Sequence, residues 1–238
     1  MNDQCPTQQT TDENPEHVFL QANKRHFDHI ACRYDQNINL LTLARKSARA
    51  ILNAYPFKED ETSVMDYACG SASSNAGLIS RELAPYAKTI LGVDISQGMV
   101  DQYNLRVHNQ GIPPEEMCAI CTVLEGKAEE LEGKRFDVVV CASAYHHIQS
   151  IEQVTEVLAY FLKPGGSLVV TDLEKTDVDV HQSDIHIVPH PGGISKADIQ
   201  QAFQHAGLDS FTYEPAFNAK MKGSSVTLFI AQGVKPWC

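Results

Sequence analysis

Three neighbouring side chains, Tyr145, His146 and His147, are the first candidates for chemistry in this sequence. They follow an apolar run at residues 138–144, which is typical of a strand buried on both faces of a parallel sheet. An imidazole titrates near neutral pH, so a histidine here can take a proton from a nucleophile. The pattern favours His146 as a candidate general base, with packing or hydrogen bonding as the alternative role.

An acid followed by small residues marks a second stretch, residues 63–74. An apolar strand begins there at Val64, Asp66 lies near its carboxyl end, and small residues run from 68 to 74. A helical pattern starts beyond them. Strand, tight turn and helix predict the first βα unit of an open α/β sheet, in which ligands bind at the carboxyl ends of the strands.

The turn is a poor match to a dinucleotide site. That fingerprint needs several glycines so that the backbone can approach a pyrophosphate. Here only Gly70 is present, and Ala72 and Asn75 occupy the later glycine positions. Asp66 would also repel a diphosphate, whereas it suits a ligand that carries an ammonium group. The turn therefore disfavours an NAD-dependent oxidoreductase, which remains an alternative function.

A second acid, Asp94, follows the short apolar run of residues 89–93 and lies 24 residues after Gly70. An acid at the end of the second strand can accept hydrogen bonds from both hydroxyls of an adenosine ribose. Several cofactors share that ribose, so Asp94 alone does not identify the ligand. Ser96 is a suitable N-cap for the helix that follows.

Four segments, in this order, resemble motifs of the class I S-adenosylmethionine-dependent methyltransferases that act on small molecules. Residues 66–72 resemble motif I, acid-x-x-x-G-x-G, with Ala72 in place of the last glycine; residues 94–99 resemble D-x-S-x-x-M, residues 136–148 resemble F-D-x-V-x-x-x-x-x-x-H-H, and residues 162–172 resemble L-K-P-G-G-S-L-V-V-T-D. The resemblance covers roughly residues 27–231. It implies S-adenosyl-L-methionine as cofactor and S-adenosyl-L-homocysteine as product.

The resemblance also implies which residues bind that cofactor. Asp66 would hold the ammonium side, Gly70 would allow the ligand to approach closely, and Asp94 would hold the ribose. The other implied contacts are Tyr34, Ala68, Ile95, Met99, Ala128, Glu129 and Ala142.

Some of these positions have a structural alternative. Tyr34 ends a segment similar to F-x-x-x-A-x-x-Y-D, whose tyrosine closes over the methionine part of the cofactor, but a helix end that only packs has the same pattern. Met99 would pack on the adenine or fill the core. Lys127 replaces an aspartate that often binds the adenine amino group, which leaves that role to the backbone of Ala128 and to Glu129, or indicates a solvated acidic turn.

In this family the residues just past the fourth strand face the transferred methyl group, which makes Tyr145, His146 and His147 candidate catalytic residues. The expected mechanism is direct in-line displacement, to which the protein contributes proximity and orientation. Oxygen, nitrogen, sulfur and carbon acceptors all occur on this fold, and fold does not fix function. A thiol, with a pKa of about 8.5, would need little base catalysis.

A phenol or a ring carbon would depend more strongly on His146. We expect the acceptor to be a small molecule, a thiol or hydroxyl of a secondary metabolite. A non-catalytic, cofactor-binding partner subunit is the alternative, because Ala72 and Lys127 depart from the family pattern.

Residues 173–195 look least like a scaffold and contain three histidines, His181, His186 and His190. A long irregular segment in a compact domain is usually functional or disordered. Because it follows a strand at the ligand edge, we expect His186 and His190 to bind substrate. The spacing H-x4-H-x3-H, with Asp184, raises a metal site, but on an irregular segment it is not diagnostic, and we expect no metal.

Composition limits the class of partner. The net charge of −11 disfavours nucleic acid, which requires a basic footprint, and also anionic membranes. No apolar run approaches the roughly 20 residues that span a bilayer. Seven cysteines, mostly in apolar contexts, indicate reduced thiols and a cytoplasmic protein. Cys118 and Cys121 form a C-x-x-C pair that we interpret as part of a buried strand.

The predicted fold is α/β, a doubly wound, mostly parallel, seven-stranded Rossmann-like sheet with an N-terminal helical cap. Residues 1–14 are predicted to be a disordered tail, 15–58 the cap, and 59–238 the cofactor-binding domain, which forms one compact unit with the cap. Third and fifth strands are predicted at 118–124 and 167–171, with a helix at 151–162 between them. Two closing strands are predicted at 211–217 and 226–231, and Trp237 has no evident role.

Overall fold

The computed structural model describes residues 15–33, 38–71, 79–177, 180–181, 184–221 and 223–237. The predicted tail and Tyr34 lie outside these residues. The helices are α1 (Pro15–Ile30), α2 (Ile38–Ala54), α3 (Ile79–Leu83), α4 (Gln97–Asn109), α5 (Ile151–Tyr160) and α6 (Lys196–His205). None of these described helices has the length and apolar character needed to cross a bilayer.

Seven strands form one sheet. They are β1 (Ser63–Tyr67), β2 (Thr89–Asp94), β3 (Met117–Cys121), β4 (Phe136–Ala142), β5 (Leu162–Leu173), β6 (Asp209–Met221) and β7 (Ser224–Val234). Their order is β3-β2-β1-β4-β5-β7-β6, and β7 runs antiparallel to both of its neighbours. This arrangement confirms the predicted fold class.

The strand order reverses between β1 and β4. From β1 the chain moves outward to β2 and β3, and it then returns to place β4 on the other side of β1. In open α/β sheets a crevice forms outside the carboxyl ends of the strands at such a switch point. The topology therefore selects the ends of β1 and β4 as the place for a ligand.

Alternation along β4 explains why its sequence is apolar throughout. Val138 and Val140 face α2, α3 and α4, whereas Val139 and Cys141 face α5 and α6. Successive side chains of a strand point to opposite faces, so a sheet covered on both faces requires apolar residues at every position.

Helix α2 covers one face of the sheet in addition to lying at the edge where the strands end. Its Ala48 and Ile51 are buried in the same cluster as Val64 and Val138, so this part of α2 covers one face of the sheet. The apolar positions of α2 recur with helical spacing, and the sheet provides the surface that buries them. The part of α2 that reaches the edge where the strands end is its beginning, which lines the cavity there together with α1.

Several strand bounds differ from the sequence-based prediction. β3 ends at Cys121 rather than at 124, while β6 and β7 are longer at both ends than predicted. β5 begins at Leu162, and its pairing with β4 shifts from Phe136–Leu162 to Val138–Ser167. Residues 163–166 are therefore a bulge inside β5, which begins five residues before the predicted start of the strand at 167.

The C-terminal residues explain both the bulge and Trp237. The N–H of Gly165 donates to Lys235 O, the N–H of Lys235 donates to Gly166 O, and a β-carbon at Gly165 would overlap the Trp237 indole. The ammonium of Lys235 donates to the carbonyls of Ala159, Tyr160 and Leu162. The last helical carbonyls of α5 are thus capped by a cation, which the helix dipole favours.

Candidate active site

A cavity of about 1180 Å³ opens where β1, β2 and β4 end. It exceeds the roughly 300–1,000 Å³ usual for a small-molecule site, so it has room for two ligands side by side. Backbone and side chains from the strand ends, α1, the start of α2 and the segment before α6 line it. The sequence-predicted residues among its lining are Asp66, Ala68, Gly70, Asp94, Ile95, Met99, Ala142, His146 and His147.

The turn after β1 is held in a left-handed backbone conformation. Ala68 has φ 56° and Gly70 has φ 60°, and the Cys69 N–H donates to Val93 O at 3.2 Å. Positive φ is costly at a residue with a β-carbon, and such strain concentrates at functional sites. A β-carbon at Gly70 would meet nothing within 4 Å, so the constraint at that position is the backbone angle rather than lack of space.

Asp66 is a buried carboxyl group beside this turn, only 2% exposed. Ser80 donates its hydroxyl to Asp66 Oδ2 at 2.6 Å. Burial raises the pKa of Asp66 to about 7, against the opposing effect of the Ser80 hydrogen bonds. The group therefore changes charge near neutral pH, and a cation placed next to it would favour the carboxylate.

Asp94, at the end of β2, is hydrogen-bonded to the turn after β1. Its Oδ2 accepts from the Gly70 N–H at 2.8 Å, and its Oδ1 accepts from the Ser96 N–H at 2.9 Å. Burial raises the pKa of Asp94, while these backbone donors oppose the shift. Because each carboxylate oxygen can accept more than one hydrogen bond, Asp94 retains capacity for ligand hydroxyls. Met99 is 1% exposed, so it fills the core as well as lining the cavity.

Two residues predicted to contact adenine are not part of the cavity lining. Ala128 and Glu129 do not line the cavity; the segment before them, residues 122–125, does. Glu130 accepts hydrogen bonds from the N–H groups of Glu125 and Lys127. Lys127 pairs with Glu125.

His146 is backed by a buried carboxylate. Its Nδ1 lies 2.7 Å from Asp172 Oδ1, and its backbone N–H donates to Asp172 Oδ2 at 3.2 Å. Burial alone would raise the pKa of Asp172, but His146 and the Leu173 N–H outweigh burial and hold that pKa below its usual value. Since a carboxylate only accepts, His146 carries its proton on Nδ1 when neutral, and Nε2 is then a base.

His147 has a different partner. Its Nδ1 lies 3.0 Å from the carbonyl oxygen of Ile187, which also only accepts, so Nδ1 is protonated. Burial, followed by the neighbouring His146, lowers the pKa of His147 to about 3. The ring packs edge-on against Phe27, with centroids 5.3 Å apart. His147 is therefore a neutral imidazole at physiological pH.

Tyr145 and two predicted substrate residues are not brought to the cavity. Tyr145 is fully buried, and its hydroxyl lies 3.0 Å from the Thr155 hydroxyl, which itself donates to Ile151 O. His186 is exposed outside the cavity. His190 instead bonds to the segment that follows β4: its backbone N–H donates to His146 O, and its Nε2 donates to Ile148 O.

Helix α1 connects the two sides of the cavity. The side-chain amide of Asn23 donates to Ile187 O at 2.9 Å and lies 3.4 Å from His147 O. Near the C-terminal end of the helix, Asp28 accepts from the Ser96 hydroxyl at 2.6 Å and from the Gly98 N–H at 3.0 Å. Neither residue stands out in the sequence, because each matters only through partners far along the chain.

His181 and Asp184 also line the cavity, with the His181 ring stacked on His146 at a centroid distance of 5.0 Å. His181 Nδ1 lies 3.5 Å from Asp184 Oδ2. Among the residues that the structure describes, no group of three or more His, Cys, Asp or Glu side chains has the arrangement of a metal site.

Comparison with known proteins agrees with this geometry. Residues 65–170 match the family described as "Methyltransferase domain". An uncharacterized methyltransferase of Schizosaccharomyces pombe is 39% identical over 189 residues, which cover 75% of this chain and 63% of the relative. A ubiquinone biosynthesis O-methyltransferase of Coxiella burnetii is 26% identical over 112 residues, or 47% of this chain and 44% of the relative. The chain thus spans less than two thirds of either relative.

Among solved structures, the magnesium protoporphyrin IX methyltransferase of Synechocystis with bound S-adenosylmethionine superposes with a TM-score of 0.62. The match covers 94% of this chain and 100% of that protein at 15% identity, which demonstrates a common fold. The domain match over residues 65–170, the common fold and the 39% identical relative show that this chain is similar to the class I S-adenosylmethionine-dependent methyltransferases. S-adenosylmethionine is the cofactor of this class.

Proposed function

We propose that this protein transfers a methyl group from S-adenosylmethionine to a hydroxyl oxygen of a largely apolar small molecule. The observation that carries the proposal is the buried pair of His146 and Asp172, with Nδ1 and Oδ1 2.7 Å apart. His146 lines the same cavity as the turn after β1. A histidine backed in this way is suited to removing a proton from a weak acid such as a hydroxyl group.

The residues at the strand ends fit the cofactor. Asp66 offers a buried carboxyl to the cationic end of the ligand, Asp94 offers carboxylate oxygens to the ribose hydroxyls, and the turn at Ala68 and Gly70 allows close approach. One acid for a cation and one for a diol match the polar groups of S-adenosylmethionine. When bound, the cofactor supplies an electrophilic methyl carbon on its sulfonium sulfur.

His146 would act on the acceptor. The acceptor oxygen would take the methyl carbon as the bond from carbon to sulfur breaks with its electron pair left on sulfur, and the hydroxyl proton would pass to His146 Nε2. Asp172 would stabilise the positive charge that His146 gains. This division of roles leaves proximity and orientation, rather than covalent catalysis, as the remaining contribution of the protein.

The acceptor side of the cavity favours an apolar molecule. Phe27 contacts the His147 ring, and further apolar side chains line the same cavity: Phe19, Leu20, Leu40, Leu43, Val188 and Met221. The Coxiella burnetii relative is named as an O-methyltransferase, which supports oxygen as the acceptor atom. The net charge of −11 argues against a nucleic-acid substrate.

The alternative acceptor is a thiol, such as that of a secondary metabolite, and His146→Ala separates the two. A hydroxyl acceptor should lose about 10²–10⁴-fold in kcat, the usual contribution of a general base. A thiol acceptor should lose little, because part of it is already ionised at neutral pH. Methyl transfer to a panel of phenols and thiols, followed by mass spectrometry, measures both. Transfer to thiols alone would refute the hydroxyl proposal.

We also propose a reducing compartment, the cytoplasm, as the location. The cysteines of the described residues, Cys32, Cys69, Cys118, Cys121 and Cys141, are all free thiols. Free thiols are usual in proteins of reducing compartments.

A further inference from the structure

His146 and His147 lie side by side at the cavity although they are consecutive residues. Both belong to the short 3-10 turn Tyr145–His147 that follows β4, and their ring centroids are 4.3 Å apart with a tilt of 43°. Consecutive side chains usually diverge, but here Asp172 holds one ring and Ile187 O holds the other. The turn therefore presents two imidazoles to one ligand.

Both rings offer that ligand a hydrogen-bond acceptor. Each Nδ1 faces an atom that only accepts, so each neutral ring carries its proton on Nδ1. Neither Nε2 has a hydrogen bond to any residue within the described ranges. Two neighbouring nitrogen acceptors are thus left for a ligand, and a ligand with a single hydroxyl group can satisfy only one of them.

The two acceptors differ in what they do next. His146 has the Asp172 carboxylate behind it and can hold a proton, whereas His147 has only a carbonyl behind it. Burial and the neighbouring His146 lower the pKa of His147 to about 3, so the His147 ring stays neutral and its Nε2 stays an acceptor. His147 is suited to holding a hydroxyl group that is not methylated.

We propose that the acceptor carries two neighbouring O–H donors, as in a 1,2-dihydroxybenzene, one held by His147 Nε2 and the other transferring its proton to His146 Nε2. This inference rests on the proposed function, and it adds the substrate class and a specificity role for His147. The position at His147 Nε2 is the second subsite. The side-chain amide of Asn23 on α1 donates to Ile187 O and lies close to His147 O, so it holds this subsite in place.

Binding of two probes tests the subsite without relying on turnover. The probes are 4-butylcatechol and 4-butylphenol, titrated calorimetrically into the wild-type protein saturated with S-adenosylhomocysteine. We expect the catechol to bind about tenfold more tightly, because one further hydrogen bond in a buried site contributes that much. In His147→Phe the preference should disappear, with the affinity for the phenol nearly unchanged.

Two further variants make the test specific. His147→Asn keeps a donor toward Ile187 O but lacks the second ring nitrogen, so it should also lose the preference if the protein remains folded. His108→Asn, an exposed histidine on α4, is the matched control and should retain it. Equal binding of the two probes by the wild type, no binding of the catechol, or a preference that survives in both His147 variants overturns the proposal.

Turnover distinguishes this proposal from the one it rests on. Methylation of both probes, with no difference in affinity, would refute the second subsite and leave hydroxyl methylation intact. Tight and selective binding of the catechol, with no methyl transfer to any hydroxyl, would refute the proposed function while the paired subsite stands.

Discussion

Replacing Asp172 by asparagine tests whether the carboxylate behind His146 contributes to the reaction. Asp172 is fully buried, and its Oδ1 lies 2.7 Å from His146 Nδ1. A hydrogen bond between charged groups contributes about 1.5–3 kcal/mol, and this one gains strength as His146 becomes positive. At about 1.4 kcal/mol for each factor of ten, Asp172→Asn should lower kcat by about 10- to 150-fold.

The asparagine also changes the tautomer of His146. If its amide nitrogen faces Nδ1, the proton of the neutral ring moves to Nε2, and His146 can no longer accept a proton from the substrate. The variant should therefore lose kcat while the dissociation constant for S-adenosylhomocysteine stays within about twofold, because Asp172 does not line the cavity.

Initial rates with a phenolic acceptor and calorimetric titration of S-adenosylhomocysteine measure these two quantities. Asp137→Asn is the matched control. Asp137 accepts from Ser63 and Lys163 at the amino ends of the strands, so its loss affects stability without touching the cavity. The reasoning is refuted if Asp172→Asn, with an unchanged melting temperature, keeps kcat within twofold while His146→Ala loses a hundredfold or more.

Two predictions concern the cofactor side. Asp94→Ala should weaken S-adenosylhomocysteine binding at least tenfold, because it removes the proposed ribose acceptor and the link to Gly70. Asp101→Ala, on the exposed side of α4, is the control, and an unchanged dissociation constant for Asp94→Ala would contradict the proposal. The pKa of Asp66, raised by burial from 3.8 to about 7, means that the folded protein binds this proton more tightly than the unfolded chain. The contribution of this proton to stability should be complete below about pH 4 and lost as the pH rises toward 7. Asp66→Asn should therefore flatten the fall in melting temperature over that range. If the variant and the wild type have the same pH profile, Asp66 has an ordinary pKa in the folded protein.

Local patterns in the sequence determined the elements and their order. The uniformly apolar run of β4 follows from burial on both faces, and the acids at Asp66 and Asp94 mark strand ends that any parallel sheet brings to one edge. His146 was found the same way, since a titratable residue directly after a buried strand must lie near that edge. Such inferences need only the period of a strand and the direction of the chain.

Tertiary structure decided which side chains reach the cavity and what stands behind them. Asp172 and Ile187 O lie 26 and 40 residues from the imidazoles that they fix, and no local pattern encodes those pairings. Tyr145 points into the core beside Thr155, although it is next to His146 in the sequence. The physical reason is that periodicity specifies a residue's place on its own element, whereas side-chain direction past a strand end depends on the neighbours that the fold supplies.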